Sequence, residues 1–179
     1  CDISDMANKL HLHDGLGQQL YDPGLLSANI GGTRYGATPL TMASAYATFA
    51  SEGKYCEPRP LEKITKSDGS PMKTYESKCE QAISPDIANG VSYVLKGVLA
   101  SGGSAPKRAI GLPDASAAKT GTNDNSSQTW MVGYTRGLAT ASWVGSNDLG
   151  YRSMNGIAIN GRVLEYVDGA TYAGAQWQQ

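Results

Sequence analysis

A run in the second half of the chain, Lys119-Thr120-Gly121-Thr122, combines a cation, two hydroxyls and a glycine. Lys119 supplies positive charge, and the two threonines supply short hydrogen-bond donors. Gly121 has no side chain, so a ligand backbone can lie close to the chain at this point. This combination suits an anion, and we predict that the run forms a carboxylate-binding strand edge.

The residues that follow predict the sheet to which this strand belongs. Trp130 to Tyr134 and Thr140 to Gly145 are rich in β-branched and aromatic residues, and Thr135 to Leu138 between them is typical of a turn. Strands joined by so short a turn are antiparallel. We therefore expect Lys119 to Thr122 to lie at or near the end of a strand beside an antiparallel hairpin.

Two long helices are predicted upstream, each beginning at a hydroxyl residue followed by proline: Thr38-Pro39 and Ser84-Pro85. The first is apolar on so many sides that it should be largely buried, and Gly53 should end it. The second is expected to continue to Gly102 and to carry its apolar residues along one face, at Ile87, Val91, Val94, Leu95 and Val98. Helices of this kind need a sheet face to cover, so the fold class is predicted to be α+β, an antiparallel sheet flanked by helices.

The amino-terminal segment, Cys1 to Leu12, has apolar residues at helical spacing, and Ser4 could cap that helix. His11 and His13 stand two residues apart and raise the question of a metal site. No cluster of acidic or thiol ligands accompanies them, so we predict a solvated helix end and no metal.

Cys56 and Cys79 flank a segment whose Asp68-Gly69 pair predicts a hairpin turn. Antiparallel strands on either side of that turn would bring the two thiols together, so we predict a disulfide within a hairpin subregion, residues 55–80. The alternative is a pair of reduced, buried cysteines. Cys1 is left without an assigned partner.

Composition limits the classes of function. The chain has 179 residues, 40% hydrophobic and 17% charged, which suits one globular domain. The net charge of −1, with no long run of either sign, gives no electrostatic case for nucleic-acid binding. No apolar stretch approaches the roughly 20 residues of a membrane span, and no signal-peptide pattern opens the chain, so we expect any membrane anchor and export signal to lie outside it.

The run from Lys119 to Thr135, with Ala139 to Gly145 after it, resembles the transpeptidase domain of class A, bifunctional penicillin-binding proteins. The resemblance extends upstream to Tyr35–Ala50 and downstream to Gly169–Trp177, in the family's order, with a further helix expected beyond Trp177. It implies the fold shared by penicillin-binding proteins and serine β-lactamases. It also implies a peptidoglycan D,D-transpeptidase with a serine acyl-enzyme and no cofactor, at the extracytoplasmic face of the bacterial cell membrane.

The resemblance also implies roles for the run. Lys119 keeps the cleft positive and hydrogen-bonds toward a relay serine, while Thr120 and Thr122 hold the carboxylate of a D-Ala-D-Ala stem peptide or of a β-lactam. The Thr122 N–H would be one donor of the oxyanion hole. Gly121 and Asn123 complete the substrate-binding set, and Asn123 opens a turn that shapes the rim of the cleft.

The nucleophile of such an enzyme is a serine with a lysine one helical turn later. Two matches exist, Ser51–Lys54 and Ser104–Lys107, but Gly53 and Pro106 interrupt the helix that each would need, at a cost of about 1 and 3 kcal/mol respectively. The family's second element, Ser-x-Asn, is matched by residues 27–29.

By resemblance, both elements should precede the Thr38-Pro39 helix, so we set all three matches aside and expect the true elements upstream of Cys1. The chain is accordingly interpreted as the carboxyl-terminal portion of a single transpeptidase domain, residues 1–179, whose upstream segment is a partner in the site. Two other functions remain open: a β-lactamase-like hydrolase, which would need a deacylating glutamate on a loop, and a non-catalytic extracellular binding or scaffold domain.

Overall fold

A computed structural model describes residues 2–21, 24, 27, 31–33, 36–112, 115–146, 152–159 and 161–179. Cys1 lies outside the described residues. So do Asn29, the last residue of the Ser-x-Asn match, and part of the segment before Thr38. The fold is α+β, as predicted. The helices are α1 (Asp2–Lys9), α2 (Pro39–Ala50), α3 (Pro85–Lys96) and α4 (Tyr172–Trp177). The strands are β1 (Lys54–Cys56), β2 (Lys63–Thr65), β3 (Pro71–Thr74), β4 (Cys79–Gln81), β5 (Ala117–Thr122), β6 (Gln128–Tyr134), β7 (Ala139–Gly145), β8 (Ala158–Ile159) and β9 (Arg162–Val163).

The main sheet has three antiparallel strands in the order β5-β6-β7. The Lys119 run lies in β5 and the predicted hairpin forms β6 and β7, closed by the bond from the Thr135 N–H to the Leu138 carbonyl. Because β5 comes first in this order, one of its edges has no strand beside it among the residues that the structure describes. The run is therefore displayed along an open strand edge.

Helix α2 begins where the sequence predicts, with the Thr38 hydroxyl accepting from the Thr41 N–H. The prediction that α2 is largely buried is wrong. Only Thr41, Ala45 and Thr48 are buried, and Leu40 is 64% exposed. One side of the helix packs on β6, β7 and α3. The small residues of the helix allow close contact on that side, and its other side is left uncovered.

Helix α3 also begins at its predicted cap, where the Ser84 hydroxyl accepts from a backbone N–H in the first turn. It ends at Lys96, well before the predicted Gly102, because the backbone hydrogen bonds that follow span fewer residues than those of an α-helix. Its buried side overlaps the predicted apolar face only in part. Ala88 is buried and Val91 and Leu95 are half-buried, whereas Val94 is 71% exposed.

At the amino terminus, Ser4 lies inside α1 and is buried, so it does not cap the helix. His11 is exposed just past the end of α1, as predicted, and its ring stacks on Tyr55 with a centroid distance of 4.0 Å. The Nε2 atom of His11 lies 2.6 Å from a Glu80 carboxylate oxygen. No cluster of metal-ligand side chains occurs in the described part of the chain, and no helix there is long and apolar enough to span a membrane.

Cys56 and Cys79 are bonded across the β1–β4 pair, in which they face each other in register. The hairpin of β2 and β3, with its Asp68-Gly69 turn, is nested inside that pair. The cysteines thus lie on a second strand pair outside the predicted hairpin. Both pairs belong to a subregion that lies between α2 and α3 in the chain.

The helix expected beyond Trp177 stays a prediction. Helix α4 runs from Tyr172 to Trp177, a segment for which no helix was predicted. Its Trp177 ring is buried against Ala118 and Met131, which makes α4 the cover of one sheet face.

Candidate active site

The hydrogen-bond alternation along β5 determines which backbone groups reach its open edge. The Asn123 N–H donates to the Gln128 carbonyl at 3.1 Å, just past the end of the β5–β6 ladder. In an antiparallel ladder, every second residue directs its backbone N–H and carbonyl toward the neighbouring strand. Counting back from Asn123, Gly121 and Lys119 direct theirs toward β6. The Thr120 and Thr122 backbone groups therefore point to the open edge, where the Thr122 N–H is available as a donor.

Lys119 brings positive charge to the same edge. Its side chain is exposed, and Nζ donates to the Thr120 carbonyl at 2.7 Å. That contact holds the ammonium beside an outward-pointing carbonyl, along the edge on which the Thr122 N–H also lies. The edge thus presents a cation together with a backbone donor, which suits an anionic group.

The Thr120 and Thr122 side chains share one face of the sheet, as the alternation along a strand predicts. Their register partners on β6 are Met131 and Thr129, and Met131 is the residue that packs toward α4. Thr120 Oγ1 lies 3.0 Å from Ser104 Oγ, in the segment after α3.

The Thr122 hydroxyl has a different partner, because its Oγ1 accepts a hydrogen bond from the Gly169 N–H at 3.0 Å. Gly169 lies in the loop before α4 and sits directly on the strand backbone. A Cβ at this position would come within 2.3 Å of the Trp130 carbonyl oxygen and 2.7 Å of that of Gly121. A glycine is therefore required for this loop to reach Thr122.

Gly121 is explained in part by packing. A Cβ there would lie 3.2 Å from Trp130 Cβ, on the face opposite the threonines, so a larger residue would push the tryptophan away. Close approach of a ligand, the predicted reason for this glycine, remains a prediction.

Asn123 directs its side chain into the turn that follows β5. Its Oδ1 accepts from the Gln128 N–H at 2.7 Å, and its Nδ2 donates to Ser127 Oγ at 2.9 Å. These bonds support two residues with positive φ, Asn125 at 61° and Ser126 at 50°. Asn123 therefore shapes the end of the strand, and its part in ligand binding remains a prediction.

Neither Ser-x-x-Lys match forms a serine–lysine pair in the structure. Ser51 Oγ lies 2.7 Å from the Ala47 carbonyl and 2.6 Å from that of Lys54, and Gly53 takes a φ of 86°, which takes the chain out of the helix. Ser104 is bonded to Thr120 and precedes a single short turn of 3₁₀ helix, Pro106–Arg108.

Arg108 is a residue of the site's surroundings that the sequence analysis missed. Its Nε donates to the Ala170 carbonyl at 2.6 Å and its Nη2 to the Thr171 carbonyl at 3.1 Å. Its Nη1 donates to Gln178 Oε1 at 3.2 Å. No local signal could have found these contacts, because the partners lie more than sixty positions away along the chain.

Comparison with known proteins assigns the chain to a family. The family model described as the penicillin binding protein transpeptidase domain matches residues 6–163. Penicillin-binding protein 1A of Mycolicibacterium smegmatis is 37% identical over 122 residues, covering 64% of this chain and 15% of that protein. Penicillin-binding protein 1A of Mycobacterium tuberculosis is 35% identical over 141 residues, covering 73% of this chain and 17% of that protein. The chain thus spans less than a fifth of the length of these relatives.

Solved structures show the same fold. PonA1 of Mycobacterium tuberculosis, in complex with penicillin V, superimposes with a TM-score of 0.71 at 25% identity, covering 97% of this chain and 46% of that one. Penicillin-binding protein 1A of Haemophilus influenzae gives a TM-score of 0.73 at 22% identity, covering 96% of this chain and 28% of that one. With the family model matching most of its length, the chain belongs to the penicillin-binding protein transpeptidase domain family.

Proposed function

We propose that this chain forms one wall of a peptidoglycan D,D-transpeptidase site, the wall that binds the carboxylate of the substrate. The observation that carries the proposal is the open edge of β5. There the Lys119 ammonium and the outward-pointing Thr122 N–H share one edge, and the Thr120 and Thr122 hydroxyls lie on one face of the same strand. A stem peptide that ends in D-Ala-D-Ala carries a terminal carboxylate, and a penicillin carries one as well.

Acyl transfer needs a hydrogen-bond donor beside the carbonyl oxygen, on which negative charge develops. A serine oxygen attacks the carbonyl of the penultimate D-Ala, the terminal D-Ala leaves with a proton, and an amine acceptor then takes the acyl group from the serine. In the tetrahedral intermediates the carbonyl oxygen is negative, and the Thr122 N–H is our candidate for one of its two donors. Loss of one such donor typically raises the barrier by about 3 to 4 kcal/mol.

Lys119 has two roles in the proposal. Its ammonium attracts the substrate carboxylate, and it is placed to hydrogen-bond toward a relay serine of the opposite wall. The nucleophile and that relay serine are proposed to lie in a segment of the same domain that precedes Cys1. Substrate-bearing peptidoglycan lies outside the cell membrane, so the domain would act at the extracytoplasmic face, held there by an anchor outside this chain.

Two solved relatives support β-lactam binding at such a domain. PonA1 of Mycobacterium tuberculosis was solved in complex with penicillin V, and penicillin-binding protein A of the same organism as an imipenem acyl-enzyme complex. Both superimpose on this chain with TM-scores above 0.6. Because a β-lactam acylates the nucleophile that the stem peptide would acylate, it is a direct probe of the proposed site.

Acylation of the complete domain, upstream segment included, tests the proposal. A labelled β-lactam should add to it stoichiometrically, as seen by intact mass, at a serine that precedes Cys1. The adduct should be long-lived, since a transpeptidase lacks an efficient deacylating base. Rapid turnover of the β-lactam would favour the β-lactamase-like alternative, and a folded domain that forms no adduct would favour the non-catalytic one.

A further inference from the structure

The loop at 168–171, called here the Gly169 loop, is held rigid by its own hydrogen bonds. Asp168 Oδ1 accepts from the Ala170 N–H at 2.9 Å and from the Thr171 N–H at 3.0 Å. In return, Thr171 Oγ1 accepts from the Asp168 N–H at 3.1 Å and donates to its carbonyl at 2.6 Å. With both ends of the loop tied together, the Gly169 N–H between them has a fixed direction.

That direction determines how the Thr122 hydroxyl can act. A hydroxyl has one proton to donate and two lone pairs that accept. Since Oγ1 already accepts from the Gly169 N–H, the bond orients the oxygen and leaves its proton free to point elsewhere. Thr122 is exposed, so that proton can be offered to a ligand carboxylate. A carboxylate can only accept, so a hydroxyl with this orientation is prepared for it.

Arg108 anchors the Gly169 loop from outside. Two of its guanidinium nitrogens donate to consecutive carbonyls of the loop, at Ala170 and Thr171, and a third donates to Gln178 beyond α4. Its aliphatic part lies against Gly174, where a Cβ would come 3.1 Å from Arg108 Cγ. Only the planar fork of an arginine supplies three donors in this geometry, and a lysine would supply a single ammonium.

The same segment supports the other threonine. Arg108 ends the short turn that follows Ser104, and Ser104 Oγ lies 3.0 Å from Thr120 Oγ1. The segment from Ser104 to Arg108 therefore touches Thr120 directly and reaches Thr122 through the Gly169 loop. Both hydroxyls of the anion site depend on it.

We propose that Arg108 is a positioning residue that orients the Thr122 hydroxyl through the Gly169 loop for binding of the substrate carboxylate. The expected effect of Arg108 on acylation rests on the proposed function. The orientation itself is a property of the folded chain and can be measured without activity.

The variants are Arg108→Gln and Arg108→Lys in the complete domain, with Arg136→Gln as the matched control. Arg136 lies on the exposed turn between β6 and β7, so its loss removes the same charge away from the Gly169 loop. Thermal unfolding of each variant establishes the folded fraction, to which every rate is referred. Arg108→Lys serves as the milder change if Arg108→Gln does not fold.

The first readout is amide hydrogen exchange at Gly169 without ligand. We expect exchange to accelerate about tenfold in Arg108→Gln, less in Arg108→Lys, and not at all in Arg136→Gln. Unchanged exchange in both Arg108 variants would overturn the proposal. This readout decides the role of Arg108 even if the wild-type domain forms no β-lactam adduct, an outcome that would count against the proposed function alone.

The second readout is the second-order rate constant of acylation by a β-lactam, in a cycle with Thr122→Val. We expect Arg108→Gln to lower it about tenfold in the wild-type background and by less than twofold when Thr122 is already valine. A purely structural arginine would give equal factors in both backgrounds. Equal factors, or acylation like that of Arg136→Gln, would overturn the proposal.

Discussion

At the scale of single residues, the two threonines of β5 share a face but have unequal support. The Thr122 hydroxyl accepts from a backbone N–H that belongs to a tied loop, whereas Thr120 is bonded to the side-chain hydroxyl of Ser104, an exposed residue. A fixed donor loses less entropy on binding than a mobile one. Thr122 should therefore contribute more to carboxylate binding than Thr120.

We predict that Thr122→Val lowers the second-order rate constant for β-lactam acylation of the complete domain by about 10- to 100-fold. This corresponds to a hydrogen bond to a charged group, about 1.5 to 3 kcal/mol. Thr120→Val should lower it less. Thr74→Val, on the exposed strand β3, is the matched control and should leave the rate unchanged. A larger loss for Thr120→Val than for Thr122→Val would contradict this assignment.

The sequence predicts the residues of this run but not what supports them. Lys119, Thr120 and Thr122 carry their chemistry in their own side chains, so type and spacing were enough to single them out. Gly169 and Arg108 act through contacts 47 and 62 positions apart along the chain, Gly169 with Thr122 and Arg108 with Ala170. Such contacts follow from the packing of α4 on the sheet, which no local pattern records.

At the scale of elements, the two helix starts marked by a hydroxyl and a proline were predicted well, whereas the end of α3 was not. The capping hydroxyl and the proline after it are local signals, and both Thr38 and Ser84 cap the helices that they were predicted to cap. The end of α3 at Lys96 depends on how the chain turns back toward β5, which is a tertiary effect. The buried side of α3 was predicted only in part for the same reason, because apolar spacing does not fix which residues of that side meet the sheet.

The disulfide subregion gives a prediction at this scale. Unreduced, denatured protein should show at most one reactive thiol per chain, since Cys56 and Cys79 are bonded. Reduction should lower the free energy of unfolding by about 3 kcal/mol, because the bond closes a loop with a sequence separation of 23. Thiol counting by mass spectrometry checks the first statement and denaturant unfolding the second. Three reactive thiols would contradict the pairing.

The packing of α2 on the sheet gives a pH dependence. Burial, with smaller contributions from Tyr134 and Tyr21, raises the pKa of Tyr46 from 10.0 to about 12. Below pH 10 the phenol is neutral whether the chain is folded or unfolded, so it has no effect on stability there. Above pH 10 the unfolded chain ionises first, and stability falls until about pH 12.

Tyr46→Phe should therefore lose less stability than the wild type between pH 10 and about 12, as measured by denaturant unfolding of the complete domain. Tyr93→Phe is the matched control, since Tyr93 is 81% exposed. Equal losses of stability in the wild type and in Tyr46→Phe would contradict the raised pKa of the buried phenol.

At the scale of the whole molecule, the chain carries an open strand edge where a cleft is proposed. Unpaired edges with a flat, accessible backbone promote association between chains. Without the upstream segment, residues 1–179 should therefore associate in solution.

The same residues should form no covalent adduct with penicillin, because Ser51 and Ser104 are not activated. Intact mass after incubation with a labelled β-lactam checks for the adduct. A stoichiometric adduct on any serine of this chain would contradict this prediction.

Binding of the substrate carboxylate by β5 is tested most directly by a structure of the complete domain with a bound β-lactam. We predict that the ligand lies along the open edge of β5, with its carboxylate within hydrogen-bond distance of the Thr120 and Thr122 hydroxyls. We also predict that the Gly169 N–H remains bonded to Thr122 Oγ1. A carboxylate that contacts neither threonine hydroxyl would contradict the assignment of the anion site.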